Sequence, residues 1–135
     1  MSDAPPLEGI LETVLYCDSS NEDELRRFYT ETLGLELVAG FAFRFGGQLL
    51  LIFNADESRV QDDPPPHGTV GATHTCFTCE PARYEDWKTY LQDRGVEITR
   101  EIEWPRGPRS FYFEDPAGNV LEIANGDMWP PGKAT

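Results

Sequence analysis

A unit of strand, helix and three short strands occurs twice in this chain, and no other feature restricts its fold as much. In the first copy, residues 9–17 alternate apolar and polar with β-branched and aromatic members, which predicts a strand. Asp18-Ser-Ser-Asn-Glu22 reads as a turn and helix cap, and Leu25, Phe28, Tyr29, Thr32 and Leu33 fall at helical spacing over 22–33. Gly34 then stops the helix as a glycine just past the last turn does. Strands are predicted over 36–39, 41–45 and 48–54, the last entered through Gly46-Gly47. The second copy predicts a strand over 73–79, a helix over 83–94 stopped by Gly95, and strands over 97–104, 110–114 and 120–125. Residue by residue, Glu12-Thr-Val-Leu-Tyr-Cys17 matches His74-Thr-Cys-Phe-Thr-Cys79, and Leu33-Gly-Leu-Glu36 matches Arg94-Gly-Val-Glu97. Gly47-Gln-Leu-Leu-Leu-Ile-Phe-Asn54 matches Gly118-Asn-Val-Leu-Glu-Ile-Ala-Asn125. The expectation is one α+β domain over 1–135, built from two βαβββ modules related by a pseudo-two-fold. The modules span about 9–54 and about 72–125, with a polar, proline-rich linker at about 55–71 and a tail at 126–135.

Composition narrows what such a domain does. A net charge of −13 repels nucleic acid and anionic membranes, and no basic run offers a local exception. The opening Met1-Ser-Asp-Ala-Pro-Pro has neither a basic start nor an apolar stretch, and no apolar run approaches a membrane span; a cytoplasmic protein is expected. Three cysteines, Cys17, Cys76 and Cys79, cannot all pair within the chain. Cys76 and Cys79 form a C-x-x-C string, but on a predicted strand positions three apart face opposite ways, so these read as small reduced apolar residues.

Alternation then sorts the strand faces. Leu11, Thr13, Leu15 and Cys17, with Thr75, Phe77 and Cys79 and with Leu121 and Ile123, form the sets expected to pack under the helices. That leaves Glu12, His74 and Glu122 on the opposite faces at repeat-related positions. Ionisable side chains seldom point into a sheet interior without a partner. Two carboxylates and an imidazole in a concave sheet are a candidate divalent-metal site, because desolvated carboxylates repel one another unless a cation neutralises them.

The segments Glu12-Thr-Val-Leu-Tyr16, Phe28-Tyr-x-x-x-Leu-Gly-Leu-Glu36, His74-Thr-Cys-Phe77 and Phe113-Glu-Asp-Pro-Ala-Gly-Asn-Val-Leu-Glu122 together resemble the vicinal oxygen chelate superfamily of glyoxalases, bleomycin-resistance proteins and extradiol dioxygenases. The resemblance runs from about Gly9 to Asn125 and implies curved mixed sheets forming a half-barrel cleft. It also implies ligand slots at Glu12, Leu51, His74 and Glu122. A leucine cannot bind a metal, so the set differs from the four-ligand glyoxalase I type. It differs equally from a two-His, one-Glu dioxygenase triad, since Glu12 stands in a histidine slot. The donors left suit a divalent cation (Zn, Fe, Mn, Ni or Mg).

The resemblance therefore implies a metal-dependent enzyme of lyase or isomerase type acting on a small oxygen-chelating substrate, with Glu12 or Glu122 able to serve also as general base. The alternatives are an extradiol-type dioxygenase and a metal-free binding protein of the bleomycin-resistance type, in which His74 is protonated between the two carboxylates. Members of the superfamily are often dimers, some exchanging modules, so a homodimer with a shared cleft is expected. For substrate contacts, Arg106 and Arg109 flank a turn between strands and suit a carboxylate or phosphate. Phe53, Leu51 and Trp104 are the expected apolar wall, whereas His67 in the linker is expected to be exposed.

Overall fold

The computed structural model describes residues 4–69 and 71–132. The first three residues of the opening segment, position 70 of the linker and the end of the tail, 133–135, lie outside the described residues. Elements follow in the order β1 (Glu12–Cys17), α1 (Glu22–Arg27), β2 (Glu36–Ala39), β3 (Ala42–Phe45), β4 (Gln48–Asn54), α2 (Ala55–Ser58), β5 (His74–Thr78), α3 (Tyr84–Asp93), β6 (Arg100–Glu103), β7 (Arg109–Glu114) and β8 (Val120–Ala124). They form two four-stranded mixed sheets of matching order, β1-β4-β3-β2 and β5-β8-β7-β6. In each, the first strand of the module runs parallel to the last, and the other pairs are antiparallel. The fold is the α+β repeat of βαβββ modules that the sequence pattern predicts.

Four stretches differ from expectation in detail, the first being the strand expected from residue 9, which begins at Glu12 and leaves Leu11 65% exposed instead of packed under the helices. The helix expected over 22–33 is α-helical only to Arg27, and Phe28–Thr32 widens into a π turn. There the amide of Leu33 donates to the carbonyl of Phe28, five residues back, at 2.9 Å. The wide turn seats two adjacent aromatics, Phe28 and Tyr29, in the core at once, where an α-helix would splay them by 100°. The strand expected from residue 97 begins at Arg100, because Val96 and Ile98 turn inward to pack on the core. The linker carries a helical turn of its own, α2, capped by the Asn54 side chain on the amide of Asp56 at 2.9 Å.

A single hydrophobic core joins the two modules: Leu15, Leu25, Tyr29, Phe43 and Leu50 from the first meet Tyr84, Leu91, Phe111, Phe113 and Leu121 from the second. Each such side chain contributes about 1.5–3 kcal/mol on burial. One polar cluster crosses the same seam. The buried carboxylate of Asp115 accepts from the amides of Ala117 (2.9 Å) and Asn119 (3.0 Å), from the side-chain amide of Asn119 (2.8 Å) and from the hydroxyl of Tyr29 (2.7 Å). The Asn119 side chain also donates to the carbonyl of Tyr16 on β1 at 3.1 Å. Burial, followed by the charge of Asp115, raises the Tyr29 pKa well above the usual phenol range, so the hydroxyl stays a donor.

Tyr29→Phe removes one donor from a buried carboxylate while leaving the packing in place. It is expected to lower unfolding stability by about 2 kcal/mol, read as a shift in the urea midpoint with unchanged slope. An unshifted midpoint would show that the seam does not depend on this contact.

Candidate functional site

The open faces of the two sheets are set by the same alternation that builds the core. On β5 and β8, Thr75, Phe77, Leu121 and Ile123 turn toward the helices, which leaves His74, Cys76 and Glu122 on the other face. β7 adds Tyr112, directly opposite Glu122 in the antiparallel register. Nε2 of His74 lies 3.1 Å from Oε1 of Glu122. The other ring nitrogen, Nδ1, lies 2.8 Å from the carbonyl of Val120. A carbonyl only accepts, so Nδ1 carries a proton and donates it. In the neutral ring this leaves a lone pair on Nε2 facing a carboxylate oxygen, an arrangement that calls for a proton or a cation between them.

Glu122 is the more constrained partner: its side chain is 5% exposed, against 50% for His74. Its second oxygen, Oε2, is buried and has no partner in direct hydrogen-bond geometry, although the Cys76 thiol and the Tyr112 phenol both approach the carboxylate. A buried carboxylate oxygen without a partner is costly, and such groups need a specific explanation. The neighbours register the same charge. The Cys76 thiol is pushed up to about 12 by burial and then by the Glu122 carboxylate. The Tyr112 phenol is likewise raised by burial and by Glu122. The Tyr112 ring stacks along His74 with centroids 6.1 Å apart.

The equivalent face of the first sheet is built differently. Glu12, Val14 and Tyr16 on β1 lie beside Leu49, Leu51 and Phe53 on β4, in the register Val14↔Leu51 and Tyr16↔Phe53. Leu51, at the repeat position of Glu122, is buried. Glu12 is exposed and makes no hydrogen bond or ion pair with a described residue. Among the described residues, no group of three or more His, Cys, Asp or Glu side chains converges to hold a metal ion. The structure thus brings His74 and Glu122 together within one chain and leaves Glu12 on the other sheet.

The expected substrate contacts also separate. Arg109 shares the helix-side face of β7 with Phe111 and Phe113; its guanidinium binds Glu85 at 2.8 Å and Glu101 at 3.5 Å and lies over the Tyr84 ring. Arg106 is exposed in the turn and makes no polar side-chain contact with a described residue. Trp104 donates its indole N–H to Ser110 at 2.9 Å, which fixes it beside the open face of β7. Phe53 lies against Phe41, with centroids 4.8 Å apart. Tyr112 is a neighbour of Glu122 that the sequence reading did not single out, and alternation along β7 with its β8 register carries its signal; Cys76 was read only as a small reduced apolar residue.

Against this geometry, comparison with known proteins is decisive for the family. The sequence model of the Glyoxalase/Bleomycin resistance protein/Dioxygenase superfamily matches residues 19–123. The chain belongs to this superfamily. Among solved members, it is similar to a lactoylglutathione lyase from Agrobacterium tumefaciens, at 36% identity and a TM-score of 0.85, over 92% of this chain and 98% of that one. Among curated relatives of this superfamily member, the metallothiol transferase FosB of Staphylococcus saprophyticus is 37% identical over 86 residues, 61% of this chain and 52% of the relative. The glutathione transferase FosA of Serratia marcescens is 34% identical over 104 residues, 75% of this chain and 70% of the relative. The first of these two matches spans about half of the relative's length. No helix among the described residues is long and apolar enough to cross a membrane.

A carboxylate held buried with one oxygen unsatisfied is a cost the fold carries for another purpose. Glu122→Gln, which removes the charge and keeps the shape, is therefore expected to stabilise chelator-treated protein by about 1 kcal/mol. Thermal or urea unfolding of the two proteins at pH 8 reads this, and a loss of stability would mean that Glu122 serves the fold itself.

Proposed function

We propose that the chain is a metal-dependent enzyme of this superfamily, of lyase or isomerase type, acting on a small substrate that offers neighbouring oxygens to a divalent cation. The observation that carries the reading is the His74 Nε2 lone pair facing Oε1 of Glu122, a carboxylate whose buried Oε2 has no direct hydrogen-bond partner. The residues fit such an ion. A metal-ligating histidine characteristically donates its other ring N–H to a backbone carbonyl, as His74 does to Val120. His74 and Glu122 would hold the ion, and Glu12 would supply the third side chain. When bound, the cation supplies Lewis-acid polarisation of a substrate oxygen. The remaining work belongs to the chain. Oε2 of Glu122 can take a proton from the substrate, and the phenol of Tyr112, kept protonated by its surroundings, is placed to donate to an oxygen on the same face.

In this reading Glu12 acts in trans, in a homodimer. It stands exposed on the edge strand β1 of the sheet that lacks His74 and Glu122. Immediately before it, Leu7, Ile10 and Leu11 are 96%, 77% and 65% exposed, apolar surface suited to a second copy. A second reading, thiol transfer, is favoured by the similarity to a metallothiol transferase and a glutathione transferase. A third, metal-free binding of a small molecule, places a proton rather than an ion between His74 and Glu122.

Reloading chelated protein with divalent metals and desalting is expected to leave close to one ion per chain by elemental mass spectrometry. His74→Ala and Glu122→Ala are each expected to retain almost none, because each removes one ligand from a small set. Mixed dimers of Glu12→Ala with Glu122→Ala chains are expected to recover one intact site per dimer. No metal in the parent would leave the metal-free reading standing, and no recovery on mixing would place Glu12 outside the site.

A further inference from the structure

The linker does not simply space the modules. After α2 the chain returns to the open face of the first sheet, where the amide of His67 donates to the carbonyl of Ser58 at 3.0 Å. At Gly68 any side chain would collide with Cγ of Arg59, so the loop is held close to α2. The His67 ring is seated between two residues of that face. Its Nδ1 lies 2.6 Å from the hydroxyl of Tyr16, and its ring meets Phe53 edge-on at 4.6 Å and 85°. Phe41 covers the other side of Phe53.

This cluster has no counterpart in the second module, where Thr78 and Ala124 stand at the repeat positions of Tyr16 and Phe53. The hydroxyl of Tyr16 has no other hydrogen-bond partner among the described residues; in the His67 tautomer that carries its proton on Nε2, the phenol is the donor to Nδ1. Nε2, on the opposite side of the ring, makes no hydrogen bond to a described residue and in that tautomer presents an N–H. An imidazole oriented by a neighbouring hydroxyl, with its opposite nitrogen free of described partners beside an aromatic ring, is equipped to meet a ligand.

We propose that His67, oriented by Tyr16, is a ligand-contacting residue that donates Nε2–H to an acceptor oxygen, while Phe41 and Phe53 receive the apolar group attached to that oxygen. The ligand class is a small aromatic or branched compound bearing a carbonyl or carboxylate. His67 then fixes which substrate occupies the half of the site that the first module builds, and Tyr16 is a positioning residue. The proposal rests on the metal-enzyme reading only for the statement that this recess and the His74–Glu122 pair serve one substrate.

The chain has 2 histidines, so nitrogen NMR of histidine-labelled protein resolves both rings. His67 is expected in the Nε2–H tautomer and His74, when neutral, in the Nδ1–H tautomer. Titration of metal-free protein with benzamide or benzoate should shift the His67 nitrogens. Benzamide acting alone would assign a carbonyl, and benzoate acting alone a carboxylate. Benzylamine, which offers no acceptor, should not shift them. His67→Ala should weaken binding about tenfold, the usual loss for one hydrogen bond, and His67→Gln, which retains a donor, should recover part of it. Tyr16→Phe should mix the His67 tautomers while leaving the His74 signals in place. Zinc should move His74 and leave His67 unshifted, so loss of the zinc response with a retained benzamide response overturns the metal reading alone. Equal binding of benzylamine, or binding undiminished in His67→Ala, overturns the proposal.

Discussion

The carboxylate of Asp115 is the constraint on which the arrangement of the two modules depends. It closes the Asp-Pro-Ala-Gly-Asn turn before β8 with two backbone amides, and in the same position takes the hydroxyl of Tyr29 from the opposite module. Hydrophobic burial is non-directional and would tolerate several ways of packing one module on the other. A buried carboxylate that needs every one of its donors tolerates one. The π turn of the first module is tied to the same requirement, since it brings Tyr29 into the core beside Phe28. Asn119 extends the tie to the edge of β1 through the carbonyl of Tyr16. The residue that shapes the start of β8, and so aims Glu122, is therefore the one that fixes the first module against the second.

Among the described residues, two carboxylates are buried to nearly the same degree and are treated oppositely. Asp115 has donors for both oxygens, whereas Glu122 has an unsatisfied Oε2 and faces a histidine lone pair. The first pattern is what structure demands of a buried charge, and the second is what chemistry demands of one. The Cys76 thiol and the Tyr112 phenol are raised first by burial, and the Glu122 charge adds to it by opposing further ionisation nearby.

Strand alternation carried most of the fold and half of the candidate site. It placed Leu15 and Cys17 inward, and it placed His74 and Glu122 on one shared face, because a period of two leaves a paired strand no other choice. It could not show whether Glu12 reaches that pair, since alternation fixes the face of a strand and says nothing of how two sheets are docked. The expected contact of Arg109 with substrate followed from its place beside a turn. Its parity with Phe111 and Phe113, equally visible in the sequence, already set it toward α3 and the Glu85 and Glu101 carboxylates. His67 was read from the composition around it, Asp62-Asp-Pro-Pro-Pro, as an exposed linker residue. Such composition marks a segment without regular structure, yet irregular chain can still be seated by a few specific contacts.

The repeat also shows where the two halves parted. Both modules keep the frame: a parallel first and last strand, a glycine-stopped helix and an inward apolar row. On the open faces they diverge in a correlated way. The second module holds Glu122 and His74, with small residues, Thr78 and Ala124, farther along the same strands. The first holds Leu51 at the glutamate position and aromatics, Tyr16 and Phe53, at the small ones, with the linker histidine folded onto them. Leucine at Glu122's counterpart removes a buried charge, and rings at the adjacent positions make that part of the face aromatic, with the linker imidazole packed against it. A symmetric pair of faces would bind two like groups. This pair, one anionic and one aromatic, is suited to the two unlike ends of a single small molecule.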